Sequence, residues 1–458
     1  MSEELSWLYQ DIPVNRPHVP SHRSLIAPHS GHVAPRGSLA APSGSPVTPP
    51  GDPATPPRRA GRRALPSLLA TLALAASVAG CGAGADSADA KDGRTFTVAA
   101  AGDILMHPQL IDQARKDARR TGKGADGLDF DPMMAGVEPV ISRADLAICH
   151  MEPVLGTPKG PFASFPDFLV PPQIATTVKH IGYDTCSTAS NHTLDHGYAG
   201  VKRTLDTLDA AGLKHTGSFR TEKDARTPLI MDVKGVKVAQ LSFAFGFNAH
   251  ELPADKPWLV NQNGLGRIRA AEKRARAAGA EVVILSIHWG REHHPDPSAP
   301  QLAFAREIAR KTGIDLVIGH HAHVVQPMEK VDGTWIAYGL GNQIARHDVP
   351  TGLTEEGVIG WFTFTERGGE WQVTPRYEPT LLEVPPDPET TEDGSTAAGN
   401  ADDVKDYRLL DVAAALRDKD LSDRQRARLR LAFQRTEGTL LNRGAAGDGL
   451  APLTPLPG

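Results

Sequence analysis

The sequence predicts an α/β fold built on a largely parallel sheet with both faces covered. Two observations predict it. From Thr95 onward, short apolar runs alternate with amphipathic helical stretches. The polar residues of successive runs also collect at their C-terminal ends. Composition allows such a fold: 458 residues, 40% hydrophobic and 22% charged, suit a soluble globular protein with a sizeable core.

The chain begins with a segment, residues 1–57, that is rich in Pro, Ser, Gly and Ala and has no hydrophobic period. It buries too little to offset its ordering entropy and reads as a disordered leader. Residues 58–81 have the layout of a secretory signal, with Arg58, Arg59, Arg62 and Arg63 ahead of an apolar run from Ala64 to Gly80. That run is shorter than the roughly 20 residues a membrane-spanning helix needs. "VAGC", Val78 to Cys81, resembles a bacterial lipobox, in which the cysteine is diacylated and becomes the new N-terminus. An uncleaved anchor helix is the alternative. Residues 82–94 are small, polar and charged and read as a tether. The expected location is extracytoplasmic, held to membrane lipid through Cys81.

The alternating array opens with the strand "FTVAAAGDIL" and a helix from about Pro108 to Arg120. "LAICHMEPV" precedes a helix near Gln173 to Ile181, and "YDTCSTASNH" precedes the helix "GYAGVKRTLDTLDAAG". Three further strands, "VKVAQLSFAF", "AEVVILSIHWG" and "IDLVIGHHAH", are separated by the helices "GRIRAAEKRARAAG" and "APQLAFAREIARKTG". After these, "TWIAYGLGNQI", "GVIGWFTFTE" and "EWQVTPRYEPTLLEV" follow with turns and no helix between them, which predicts antiparallel strands. Residues 385–403 form an acidic linker. Residues 404–458 are expected as a helical extension, with helices around Val404–Asp418 and Ser422–Glu437 before a Pro-rich tail.

Charge and cysteines narrow the function classes. Residues 81–458 carry 42 basic and 50 acidic residues, a poor balance for coating nucleic acid, so no nucleic-acid partner is expected. Cys149 and Cys186 sit in strand-like runs, where buried free thiols are the commoner reading. A disulfide between them stays open.

The strand ends carry the chemistry. In order they present Asp103 and His107, then His150 and Glu152, then Asn191, His192, Asp195 and His196. The later strands end on His288, Glu292, His293 and His294, and on His320, His321 and His323. Open α/β sheets build their sites at the carboxyl ends of strands, so these residues can converge. Singly, each has an ordinary reading: Asp103 as a helix cap, His288 as a hydrogen-bonded core histidine, His196, His293 and His294 as exposed loop residues. The series predicts a metal site. Histidine, carboxylate and one amide without thiolate suit Mn, Fe, Zn or Co and disfavour a closed structural zinc. There are more candidates than one ion needs, so two divalent ions are expected, as in sites that hydrolyse phosphoesters. His321 and His323, read as an extended strand end, would face both ions, with His320 supporting them. His192, with Asp195 orienting it, is the candidate proton donor.

The series "GDILMH", "HMEP", "ASNHTLDHG", "HWGRE", "GHHAHVVQP" and "YGLGN" resembles the bacterial CapA, or poly-gamma-glutamate capsule synthesis (PGA_cap), family, itself similar to calcineurin-like metallophosphoesterases. The resemblance runs from about Phe96 to Val384, within an expected domain over residues 95–384. It implies a four-layer α/β/β/α sandwich with the site at one sheet edge. It carries metal-ligand roles to Asp103, Glu152, Asn191, His288, His321 and His323. Family members usually place Asn where His150 stands, and phosphoesterases place Asp where Glu152 stands. His107 lies four residues after Asp103, against two in phosphoesterases.

Two classes of function follow. One is a membrane-anchored, extracytoplasmic metal-dependent hydrolase-like protein in the synthesis, export or attachment of an anionic polymer such as poly-gamma-glutamate. The other is a non-catalytic scaffold or binding subunit of a capsule or envelope assembly that keeps the fold. A cytosolic nuclease or protein phosphatase fits less well with Cys81.

Overall fold

Strand Thr95–Leu105 divides its side chains between two environments, and that alternation sets the layers. Val98 and Ala100 face a second sheet, whereas Ala99 and Ala101 face helices. The computed structural model describes residues 93–347, 352–385 and 404–456. The expected leader, the lipoprotein signal with Cys81, and nearly all of the tether and the 385–403 linker lie outside the described residues.

There are two principal sheets rather than the single one that periodicity suggested. The larger runs Arg408–Asp411, Glu370–Glu383, Glu356–Arg367, Thr95–Leu105, Leu146–Met151, Thr185–Ser187, Lys214–Thr216, with Asn342–Ala345 also on Thr95–Leu105. The other runs Met328–Val331, Thr334–Ala337, Leu316–His320, Val282–His288, Val236–Ala244, Leu229–Val233. The smaller has a parallel centre and antiparallel flanks, whereas the larger is antiparallel on one side of Thr95–Leu105 and parallel from that strand out to its Lys214–Thr216 edge. Ile148, Phe362 and Phe364 meet Val238, Ile284 and Ile318 between the sheets. Outside the larger sheet lie Ile111, Ile174 and Leu205, from helices Pro108–Thr121, Gln173–His180 and Gly197–Ala210. Outside the smaller lie Ile268 and Ile308, from helices Leu265–Ala277 and Ala299–Lys311. This is the α/β/β/α sandwich.

The helices start where local chemistry allows. Helix Ala299–Lys311 opens on a capping box, with Ser298 and Gln301 each satisfying the other's backbone N–H. Helix Pro108–Thr121 has Pro at its start and Gly122 in the left-handed region at its end.

Three expectations change. "TWIAYGLGNQI" is only partly antiparallel: Thr334–Ala337 pairs antiparallel to Met328–Val331 but parallel to Leu316–His320, and Asn342–Ala345 pairs parallel to Thr95–Leu105. The segment crosses from one sheet to the other through Gly339 and Gly341. The crossing brings the Gly341 carbonyl so close that a Cβ on Gly102 would sit 1.9 Å from it. The expected helix over Val404–Asp418 is instead strand Arg408–Asp411 and a one-turn helix, Val412–Ala415. Pairing with Glu370–Glu383 and burial of Leu409 override helix propensity there. Finally, Cys149 and Cys186 are not free thiols. They lie opposite each other on adjacent parallel strands and are joined as a disulfide.

Candidate metal centre

The carboxyl ends of the parallel strands of both sheets meet, and the residues singled out from the sequence meet with them. Asp103, Glu152, Asn191, His288, His321 and His323 are all buried, none above 5% exposed. Their donor atoms form a connected set. Asn191 Oδ1 is 2.8 Å from His288 Nε2, which is 3.8 Å from Glu152 Oε1. Glu152 Oε1 is 3.7 Å from His323 Nε2, and Asp103 Oδ2 is 3.3 Å from His323 Nδ1. Adjacent ligand atoms around a cation with bonds near 2.1 Å stand roughly 3.0–3.4 Å apart, near the spacings of Asn191 Oδ1, His288 Nε2, Glu152 Oε1 and His323 Nε2.

The backbone at "GHHAH" is bent rather than extended. The strand stops at His320, and His321 and His323 have φ of 92° and 54°. Non-glycine residues in that region are strained by roughly 1–3 kcal/mol each and persist where the surroundings over-determine them. The His321 N–H donates to Asp103 Oδ2 at 3.0 Å, which ties the bend to the first strand. His323 Nδ1 lies 2.9 Å from Asn342 Oδ1; an amide oxygen only accepts, so Nδ1 carries the proton and Nε2 offers its lone pair.

Behind these residues lies a chain of buried imidazoles. His150 joins Ser187 Oγ at 2.8 Å and His288 Nδ1 at 3.0 Å. His320 stacks on His150, with centroids 4.0 Å apart, and turns Nδ1 to Asp103 Oδ1 at 3.3 Å. Parallel rings do not aim in-plane lone pairs at one ion, so the Asp103–His150–His320 group braces Asp103 rather than chelating with it.

Electrostatics follow from burial. Burial pushes the His288 and His150 imidazoles well below their usual range, and neighbouring histidines add to it. Burial likewise takes His321 down to about 4, against the pull of Glu292. Burial raises the Glu152 carboxyl well above the ordinary range, and the Asp103 charge raises it further. Burial pushes Asp103 the same way, but His320, His323 and His150 outweigh it and hold the carboxyl below the usual range. Neither Glu152 oxygen nor His321 Nδ1 makes a hydrogen bond among the described residues. Buried polar atoms without partners are costly, and neutral imidazoles facing two carboxylates are the donor set a divalent cation satisfies. The residues present fit such an ion. Two groups bring ligand atoms together in this way, Asp103–Glu152–His323 and Glu292–His321–His323.

His192 stands beside the set. Its Nδ1 lies 2.7 Å from Asp195 Oδ2, which also accepts from the Phe168 N–H at 2.7 Å. The His192 ring meets Phe168 edge to face, with centroids 4.8 Å apart. His107 Nδ1 accepts from the Arg346 N–H at 3.1 Å, and its ring packs against Phe168 and His347. His293 and His294 are exposed, whereas His196 is half-buried rather than exposed.

Several site residues escaped the sequence reading. Asn342 stands in "YGLGN", and its role follows only from its contact with His323. Asn248, with φ of 50°, bonds the Asn191 side chain at 3.2 Å from a loop without a readable motif. His347 lies 5.1 Å from the His323 ring, centroid to centroid, and no pattern marks it.

Residues 97–347 match the family model described as bacterial capsule synthesis protein PGA_cap. The chain is 32% identical over 169 residues to the capsule biosynthesis protein CapA of Bacillus anthracis, covering 36% of this chain and 41% of that protein. It is 31% identical over 209 residues to the PGA biosynthesis protein CapA of Bacillus subtilis, covering 43% of this chain and 52% of that protein. Among solved structures, the calcineurin-like phosphoesterase YfkN of Bacillus subtilis overlaps 75% of this chain and 96% of that chain, at 15% identity and a TM-score of 0.36.

Proposed function

Since the chain belongs to the bacterial capsule synthesis protein family PGA_cap, we propose that it is a divalent-cation-dependent, hydrolase-like protein of poly-gamma-glutamate capsule or envelope assembly. The printed names of its Bacillus relatives, for capsule and PGA biosynthesis, support an anionic polymer as the material handled. One observation carries the metal-dependent reading: Glu152 is buried at 1% exposure with neither carboxylate oxygen hydrogen-bonded, facing His288 and His323.

In this reading Asp103, Glu152, Asn191, His288, His321 and His323 hold the ions. When bound, they supply Lewis-acid polarisation and an activated nucleophile at neutral pH. His323 is held by Asn342, so its Nε2 lone pair is pre-aimed, and His150 holds the His288 ring through Nδ1. His192 donates Nδ1–H to Asp195, which leaves Nε2 to hold a proton and pass it to a departing oxygen or nitrogen. Phe168 closes one side of that ring to water.

Location is part of the same proposal. Cys81, at the end of the 64–80 apolar run, supports a lipid anchor, since two acyl chains suffice for stable attachment. Intact-mass analysis of the membrane-extracted protein should find the mature N-terminus at Cys81, and any other N-terminus sinks the anchor.

The central test is metal content of the purified protein beside its Glu152→Gln variant, together with hydrolysis of a generic phosphodiester and a gamma-glutamyl amide. Wild type should hold stoichiometric divalent metal and the variant should lose at least one ion. No metal under several loading conditions overturns the reading. Metal without hydrolysis moves the assignment to a scaffold or binding subunit.

A further inference from the structure

The matched family region ends at residue 347, yet the helix Asp423–Leu441 reaches back toward the metal-centre residues. Arg428 and Arg435 lie two turns apart on one helix face and straddle a single carboxylate. Arg428 Nη1 donates to Glu356 Oε1 at 2.6 Å, and Arg435 Nε donates to Glu356 Oε2 at 3.0 Å. Both guanidiniums also donate to the Gly352 carbonyl, at 3.0 and 2.7 Å. Glu356 is 2% exposed while the Arg428 and Arg435 side chains are 31% and 33% exposed, so a buried carboxylate is held from the solvent side by two bonded guanidiniums.

Between the two clamped residues lies Thr354, whose carbonyl accepts from Asn342 Nδ2 at 2.8 Å. Asn342 Nδ2 also donates to the His323 carbonyl at 3.2 Å. With two carbonyl oxygens facing its nitrogen, the amide has one orientation, and Oδ1 must face His323 Nδ1. That choice puts the ring proton on Nδ1 and the lone pair on Nε2, 3.7 Å from Glu152 Oε1.

We infer that Arg428 and Arg435 are positioning residues for the metal centre: by pinning Gly352 and Glu356 they hold Thr354 where it orients Asn342, and Asn342 fixes the tautomer of His323. The C-terminal segment is thereby a working part of the site. The inference rests on the metal-dependent reading only for what His323 then does.

The test compares Arg428→Ala, Arg435→Ala and Arg435→Lys with Leu429→Ala in the full chain. Leu429 is a buried neighbour on the same helix whose loss lowers stability without touching the clamp. Two readouts are taken: Mn²⁺ affinity by titration calorimetry, and the ring ¹⁵N shifts of His323 in metal-free protein. Either alanine substitution should weaken Mn²⁺ binding by about 10-fold or more, in line with other outer partners of metal ligands. Each should also mix the His323 tautomers. Lysine, a single-point donor, should restore part of both effects. Leu429→Ala should lower the melting temperature and leave both readouts unchanged. Arginine variants that only lower the melting temperature, or a Leu429→Ala variant that shifts tautomer and affinity equally, overturn the inference. If wild type takes up no Mn²⁺, the metal reading fails, and the His323 tautomer still decides the clamp.

Discussion

His150 Nε2 lies 3.0 Å from His288 Nδ1, so two buried imidazoles from different sheets share one proton. In the structure His288 Nε2 faces the Asn191 oxygen and must carry a proton, which makes Nδ1 the acceptor from His150. For His288 Nε2 to offer a lone pair to a cation, the order reverses: Nδ1 donates to His150, and His150 Nδ1 donates to Ser187 Oγ. Both arrangements keep the rings neutral.

His150 is therefore expected to tune metal affinity without touching the metal. His150→Leu removes the partner of His288 Nδ1 and should weaken binding about 10–100-fold. His150→Gln keeps an amide that can donate or accept at the Nε2 position and should lose less. Titration with Mn²⁺ checks the ranking, and equal affinities for both variants and wild type would remove His150 from the site.

The proton-donor role proposed for His192 predicts a separation by leaving group. His192→Ala should lower kcat by about 10²–10⁴-fold on an alkyl phosphoester while metal stoichiometry holds. A nitrophenyl ester, whose leaving group needs no proton, should be much less affected. Asp195→Asn should act in the same direction by releasing the ring, which Asp195 holds at 2.7 Å. Equal losses on both substrates argue against proton donation.

Acid should destabilise the metal-free protein. His107 and His321 are taken from 6.5 down to about 4 by burial. Between those values the unfolded chain binds protons that the native state refuses, so stability falls as pH drops from 6.5 toward about 4. Glu152 works the other way: its raised carboxyl keeps a proton that the unfolded chain releases above 4.5, which lowers stability as pH rises. Denaturant midpoints across this range should fall with acid in wild type and more steeply in Glu152→Gln. A flat wild-type profile with a flat variant contradicts both shifts.

Cys149 and Cys186 stand at paired positions, so their bridge locks neighbouring strands directly beneath the His150–Ser187 contact. A protein beginning at Gly82 should show no reactive thiol after denaturation. Their sequence separation of 37 implies that a Cys149→Ser, Cys186→Ser double variant loses roughly 4 kcal/mol by the chain-entropy estimate. Titratable thiols in the denatured wild type would show the pair reduced.

The sequence by itself determined the alternating elements, the strand ends and the residue types gathered there. Each strand keeps a period of two, and each helix shows its apolar stripe without reference to distant residues. Asp103, Glu152, Asn191, His288 and the histidines of "GHHAH" were legible because they recur at the same point of successive strands. Tertiary structure alone decided what holds them. Asn342 meets His323 because a glycine-rich segment crosses between sheets, and His150 meets His288 because those sheets pack face to face. The same holds for the strand at Arg408–Asp411, whose ladder partner lies outside its own local sequence, and for the arginines that clamp Glu356 across a sequence separation of 72 and 79. Local periodicity records the environment of one element. The partner of a hydrogen bond across the fold is set by packing, and packing has no period.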